Sequence, residues 1–331
     1  RCSSNRSSLC AEGKKRGDFM TVGSLILAPL RGVTIRCFRE TFAKEIAEAG
    51  FTEAVTPFVT ANAGVDPLKD REMASTVHLH PHPHLHLPPL PPSPPPPHLL
   101  VTPQFIGKDP VALRHCLERI RSVGYTTADL NCGCPFPMVR NKGRGAGILR
   151  TPDVLRQMME VGCEVMGPGR FSVKARLGVD RTDELLGLMP LINAFPLRCL
   201  TVHARTARQM YEGACDLEAL KRIRDVATVP LVLNGDIPFP RPALSDRMGI
   251  FASVPLMLGR GFVRYLGTRP DAEDLLLRYI AASEAELSGE RPVLGRMKEL
   301  LSYWKDQPKW RRRWNVIKIC RTLDELKGCL S

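Results

Sequence analysis

Short apolar, β-branched runs recur along the chain, and most end at a polar or special residue. Between them lie stretches with apolar positions three and four apart, as on one face of a helix. The runs are Leu25–Ala28 closed by Pro29, Glu53–Thr56, Gln104–Ile106, Ala128–Asn131, Phe171–Arg176, Leu200–His203, Pro230–Asn234, and Pro255–Leu258 leading into Gly259–Arg260–Gly261. The clearest helical patterns are Val111–Val123, Pro152–Val165 and Leu217–Val226. Strands alternating with helices predict βαβ units and a parallel sheet. Eight such repeats in roughly 240 residues predict an α/β fold, a TIM (β/α)8 barrel over residues 22–268. The polar residues gather at the carboxyl ends of the strands, the edge on which such barrels carry their sites.

Two segments depart from this pattern. Residues 77–98 hold ten prolines and six of the eight histidines. That density forbids helix and central strand and predicts an irregular, polyproline-like insert over 77–100. Histidines alternating with Pro and Leu fix no coordination geometry, so no metal site is expected. After residue 268 the pattern turns helical, with Asp271–Leu287, Val293–Lys305 and Asp324–Leu330 predicted as helices, so 269–331 reads as a small helical domain. All three tryptophans fall there. Trp310 and Trp314 flank Arg311–Arg313, which fits either a stacking, basic nucleic-acid surface or a core stripe with its solvated side. At the other end, residues 1–21 read as a disordered basic tail without the apolar core of a secretory signal.

Composition sharpens the picture in one direction. The chain has 331 residues and carries 47 Lys and Arg against 34 Asp and Glu, a formal charge of +13. Such an excess favours a polyanionic partner, nucleic acid before membrane. No apolar run approaches the roughly 20 residues of a membrane span. Eleven cysteines, scattered without framework spacing, fit reduced thiols in a cytoplasmic compartment.

The strand ends also carry candidate chemistry. Asn131–Cys132–Gly133–Cys134–Pro135 lacks the spacing of a zinc or thioredoxin motif. A Cys at a strand end before a Gly-rich loop can face a pocket, where a thiol of pKa near 8.5 can act as a general acid; a single such Cys is more often inert and buried. Lys142–Gly147 is not a Walker A sequence, and reads as a mobile basic loop beside Cys134. Lys174 and Arg176 alternate with apolar residues and so share one side of their strand. Gly235 with Asn234 and Asp236, and Gly259 with Arg260, end strands seven and eight, where barrels commonly bind phosphate. With His203 closing strand six and the amide of Gln104 available, flavin mononucleotide fits this set.

In combination these motifs resemble the bacterial type of the tRNA-dihydrouridine synthase family. The likeness runs through Leu27–Pro29, Gln104–Gly107, Asn131–Pro135, Gly145–Leu149, Lys174–Gly178, His203–Thr206, Tyr211–Gly213, Asn234–Ile237, Leu258–Gly261 and Lys318–Arg321. The resemblance implies an FMN enzyme that reduces the C5–C6 double bond of tRNA uridines with NADPH; the chain is read as a monomer. It implies Cys134 as proton donor to C5. It implies Ala28, Pro29, Leu30, Gln104, Lys174, His203, Asn234, Gly235, Asp236, Gly259 and Arg260 at the cofactor, and Asn131, Arg176 and Arg205 at the uridine. The helical tail would bind tRNA. Leu30 stands where the family usually has Met, and the His/Pro tract replaces a segment expected to pack on the barrel. The same barrel motifs would serve a reductase of a free pyrimidine or other small molecule, and a flavin site spoiled by the abnormal segment would leave a catalytically impaired RNA-binding homologue; the basic charge and the helical tail favour RNA.

Overall fold

The structure, a computed structural model, describes residues 24–69, 99–240 and 254–330. The expected tail over 1–21 and the His/Pro tract up to residue 98 lie outside the described residues.

Ten parallel segments form one sheet: β1 Leu25–Leu27, β2 Phe51–Val55, β3 Val59–Thr60, β4 Leu100–Thr102, β5 Gln104–Ile106, β6 Ala128–Cys132, β7 Phe171–Gly178, β8 Leu200–Thr206, β9 Leu231–Asn234 and β10 Leu256–Leu258. They amount to eight strands. β2 pairs with β4 through Val55↔Thr102, and β3 pairs with β5 through Val59↔Phe105. The two pairs are therefore one ladder interrupted at Pro57 and Pro103, residues that have no N–H to give it. The Thr56 hydroxyl accepts from the Gln104 N–H at 3.1 Å and carries the ladder across the break. β1 pairs with both β2 and β10, so among the described residues the ring closes. The strand expected from Gln104 starts earlier, at Leu100, within the residues assigned to the insert.

Alternation along each strand sorts the side chains into two layers. Leu130, Val173, Ala175 and Val202 point outward into the large core beneath the helices. Ile26, Val55, Val232 and Met257 point inward and form a second, smaller core. Asp129, Ser172 and Thr201 are buried polar residues on strands β6 to β8, each two positions before a residue of the barrel mouth. Lower in the barrel, Arg198 holds both Glu53 carboxylate oxygens at 2.8 Å, and Thr102 donates to Glu53 at 2.8 Å. The polar column is thus closed below by a paired charge.

The outer helices form where expected. Pro110–Ser122 begins with Asp109 accepting from the Val111 N–H at 2.9 Å, and Pro152–Met166 begins with its proline in the first turn. Beyond Arg260–Leu266 come the helices Ala272–Glu286, Glu290–Ser302, Pro308–Ile317 and Leu323–Gly328. Trp304 and Trp310 are fully buried and donate to the carbonyls of Val263 and Gly267 at 2.7 and 2.8 Å. The core reading of the tryptophan stripe therefore holds for Trp310, while Arg311 and Arg312 form its solvated side. The tail is fastened to the last barrel helix by these indoles, and its first two helices are tied together by the half-buried Arg296–Glu286 pair at 2.5 Å.

Candidate active site

The carboxyl ends of the strands open on a cavity of about 580 Å³, within the ~300–1,000 Å³ range of ligand pockets. Thirteen of the expected site residues line it: Ala28, Pro29 and Leu30 after β1; Asn131 and Cys134 at the end of β6; Lys174 and Arg176 on β7; His203 on β8; Asn234, Gly235 and Asp236 after β9; and Gly259 with Arg260 after β10. Cys134 stands on the same rim as Lys174 and His203.

Gln104 and Arg205 stand behind this wall. Gln104 is fully buried, donating to Asp129 at 2.7 Å and accepting from Asn131 at 2.8 Å. Arg205 backs His203, meets its Nε2 at 3.3 Å, and bonds the Gly213 carbonyl and the Asp236 carboxylate.

Cys134 is held from two sides. The Asn131 Oδ1 accepts from the Gly133 and Cys134 N–H groups at 3.1 and 2.9 Å. Behind the thiol, residues 145–150 form a 3-10 turn, and the Ala146 N–H donates to the Cys134 carbonyl at 3.1 Å. Gly145 has φ +55°, and a Cβ there would lie 2.8 Å from the Cys134 Cβ and carbonyl oxygen. Of the stretch expected as a mobile loop, residues 145–147 are therefore buried, and with Ile148 and Leu149 they form a wedge under the cysteine. Burial pushes the Cys134 thiol up, against smaller opposing effects of a backbone hydrogen bond and of Arg176. It stays protonated at neutral pH.

Facing it is a group of cations. The Lys174 Nζ donates to the Asn234 Oδ1 at 2.9 Å, and the Asn234 amide donates to the Met257 carbonyl at 2.8 Å. Burial, and then the Arg176 charge, pull Lys174 down to about 8. Arg176 is fixed by the carbonyls of Gly133, Thr206 and Met210 at 2.9, 2.9 and 2.6 Å. His203 is driven strongly down, first by burial and then by Arg176, Lys174, Arg205 and Arg260. It is neutral, and with Arg205 donating to Nε2 its proton sits on Nδ1. Asp236, in the left-handed region at φ 40°, takes both Arg205 and Arg260.

The residue patterns left other parts of the cavity unassigned. The ring of Tyr211 lies 5.2 Å from the Arg176 guanidinium and 4.7 Å from that of Arg260. Glu299 and Tyr303, four apart on the tail helix, reach the same cavity. Asp129 lies two residues before Asn131 on one strand and so shares its inward face. That spacing was a signal available in the sequence; for Glu299 and Tyr303 none was, because which helix face meets the barrel depends on tertiary packing.

Fold and site together define an α/β-barrel enzyme whose cation-lined mouth suits an anionic ligand. The model of the family described as dihydrouridine synthase matches residues 26–265. A tRNA-dihydrouridine synthase B from Vibrio cholerae is 24% identical, over 95% of this chain and 98% of its own. A tRNA-dihydrouridine(16) synthase from Pseudomonas syringae is 31% identical, over 69% of this chain and 67% of its own. Among solved structures, the old yellow enzyme homologue of Zymomonas mobilis covers 75% of this chain and 87% of its own at 14% identity, with a TM-score of 0.48. The chain belongs to the dihydrouridine synthase family. It is accordingly an oxidoreductase with flavin-dependent chemistry. No helix among the described residues is long and apolar enough to cross a membrane.

Proposed function

We propose that the protein is a cytoplasmic, monomeric tRNA-dihydrouridine synthase that binds FMN, draws reducing equivalents from NADPH and uses Cys134 as proton donor. The observation that carries this reading is the placement of a neutral thiol on the same cavity as Lys174, Arg176 and His203.

The residues present fit FMN. Between β9 and β10 the wall leaves close backbone approach: a Cβ on Gly235 would meet the His203 ring at 2.8 Å, and one on Gly259 would meet the Ala28 Cβ at 3.1 Å. Gly235, Gly259 and Arg260 would hold the phosphate, Asn234 and Asp236 would shape that corner, and Ala28–Leu30 would lie under the ring. Lys174 spends one of its three donors on Asn234, so it can place a positive charge against an electron-accepting ring edge. His203, neutral, can offer its Nδ1 proton. When bound, the flavin supplies a hydride for uracil C6.

The chain's own residues perform the remaining work. Negative charge develops toward C5 and O4 of the uracil, and the protonated Cys134 donates there. Asn131 keeps one amide hydrogen beyond its bond to Gln104 and with Arg176 would contact the base. Arg205 would act on the site through His203 and Asp236. A base can reach this mouth only after leaving its stack, and the net charge of +13 would hold the RNA backbone. The helical segment after residue 268 would extend that grip.

The test is incubation of the protein with FMN, NADPH and tRNA lacking dihydrouridine, followed by digestion to nucleosides. Dihydrouridine is the expected product. Its absence, with turnover of free uracil instead, would replace tRNA by a small pyrimidine as the substrate.

A further inference from the structure

A chain of side-chain hydrogen bonds runs from the barrel interior to the backbone of the cysteine. Ser172 Oγ donates to Asp129 Oδ1 at 2.6 Å. Gln104 Nε2 donates to Asp129 Oδ2 at 2.7 Å, and Asn131 Nδ2 donates to Gln104 Oε1 at 2.8 Å. Asn131 Oδ1 then accepts from the N–H groups of Gly133 and Cys134.

We propose that Asp129, which does not reach the cavity, is a positioning residue that fixes the direction of this relay and so holds Cys134 at its station. Hydrogen-bond polarity links Asp129 to the cysteine. An amide side chain can be turned round at almost no steric cost, and only its partners decide which end is oxygen. Here the two ends of the relay demand the same sense. An ionised carboxylate only accepts, so Gln104 must present its NH2 group to Asp129. That leaves Gln104 Oε1 facing Asn131, which must present its own NH2. Asn131 then has its oxygen free for two backbone N–H groups, which can only donate. Without an acceptor at position 129, only the N–H groups of residues 133 and 134 still hold this sense, and the buried Gln104 NH2 group is left without a partner. The reverse sense sets an NH2 group against the N–H groups of residues 133 and 134. Buried donors facing each other are costly, and the loop would move away.

The burial of Asp129 supports a positioning role. It is 1% exposed, and burial pushes it up to about 6 against the hydrogen bonds from Ser172 and Gln104. A carboxylate placed there is unfavourable for folding, and the relay gives its presence a use. Four residues on β5, β6 and β7 carry the relay, and the strand register itself aligns it: Asp129 pairs with Gln104 on one side and with Ser172 on the other.

The proposal rests on the reading of Cys134 as proton donor, and its experiment separates the two. Steady-state reduction of tRNA would be measured at saturating FMN and NADPH for Asp129→Ala, Gln104→Met, the double variant, Asp129→Asn and Cys134→Ala. We expect kcat to fall about tenfold or more in each of the two single relay variants, with KM for tRNA within about threefold of wild type. The double variant should be no slower than the slower single, since both cut one relay. Asp129→Asn can keep its oxygen toward Gln104 with Ser172 accepting from its NH2, so its kcat should stay within about threefold. Losses that multiply in the double variant, a KM effect without a kcat effect, or full activity in Asp129→Ala would each overturn the positioning role. If Asp129→Ala does not fold, Gln104→Met against Asp129→Asn still decides: equal loss in both, or loss in neither, overturns it. Wild-type turnover in Cys134→Ala would instead sink the thiol reading, whatever the relay variants do.

Discussion

Burial favours the neutral form of both Cys134 and Lys174, with opposite consequences. For Cys134 the neutral form is the useful one, a thiol ready to donate. Cys134→Ala is expected to keep flavin absorbance and tRNA binding while losing about 10²–10⁴ in turnover, the usual contribution of a positioned acid; nucleoside analysis of reacted tRNA measures it. For Lys174 the useful form is the charged one, and the fold works against it. Its pKa falls from 10.5 to about 8. Between these values the unfolded chain binds more protons than the folded one, so stability rises with pH across this window and is lowest, for this group, below about 8. Lys174→Met removes that linkage. The variant is expected to be more stable than wild type at pH 7.5, with the gap narrower at pH 9.5 in urea melts, and to lose reductase activity. A constant gap across that range would show that the lysine is not held as the structure holds it. Residues of this kind were visible in the sequence as polar positions at strand ends. Their cost was not, since it depends on how many cations share one cavity.

At the level of elements, the strand ends were readable because each follows a short apolar run, and a parallel barrel places all those ends on one rim. The extensions of two strands past Pro57 and Pro103 were hidden, since proline reads as a stop although Thr56 bridges the gap in the ladder. The helix Pro308–Ile317 was hidden for another reason: its buried face is little more than Trp310 and Ile317 among charges, too sparse a stripe for periodicity to decide. Residues 142–147 misled in the opposite sense. Glycines and cations there suggested mobility, but residues 145–147 are buried and glycine at 145 serves tight contact with Cys134. Gly145→Ala has to place a Cβ where the Cys134 Cβ and carbonyl already lie at 2.8 Å, at a backbone conformation other residues rarely adopt. We expect a loss of about 1–3 kcal/mol of stability together with a kcat defect like that of the relay variants. Thermal melting and tRNA turnover would check both. Wild-type kcat in a destabilised Gly145→Ala would uncouple the wedge from the cysteine's position.

At the scale of the whole molecule, charge and shape separate two tasks. The barrel interior binds its cations to specific partners, as with Arg198 on Glu53 and Arg205 on Asp236. The tail leaves Arg311 and Arg312 exposed on a helix whose buried face is anchored by Trp310. Replacing those two arginines therefore leaves the anchor and the cavity intact. If the tail grips the RNA backbone as proposed, Arg311→Glu with Arg312→Glu should lower tRNA affinity and also flatten its salt dependence. Each lost phosphate contact removes about 0.7–0.9 from the slope of log K against log salt, so the double variant should lose about 1–2 from it. Titrations of tRNA binding between ~50 and 200 mM salt cover the range in which such slopes are readily measured. At saturating tRNA the same variant should turn over at the wild-type rate, because neither side chain lines the cavity. An unchanged slope would mean that these arginines face solvent in the complex, and that the excess charge acts from the barrel rim instead.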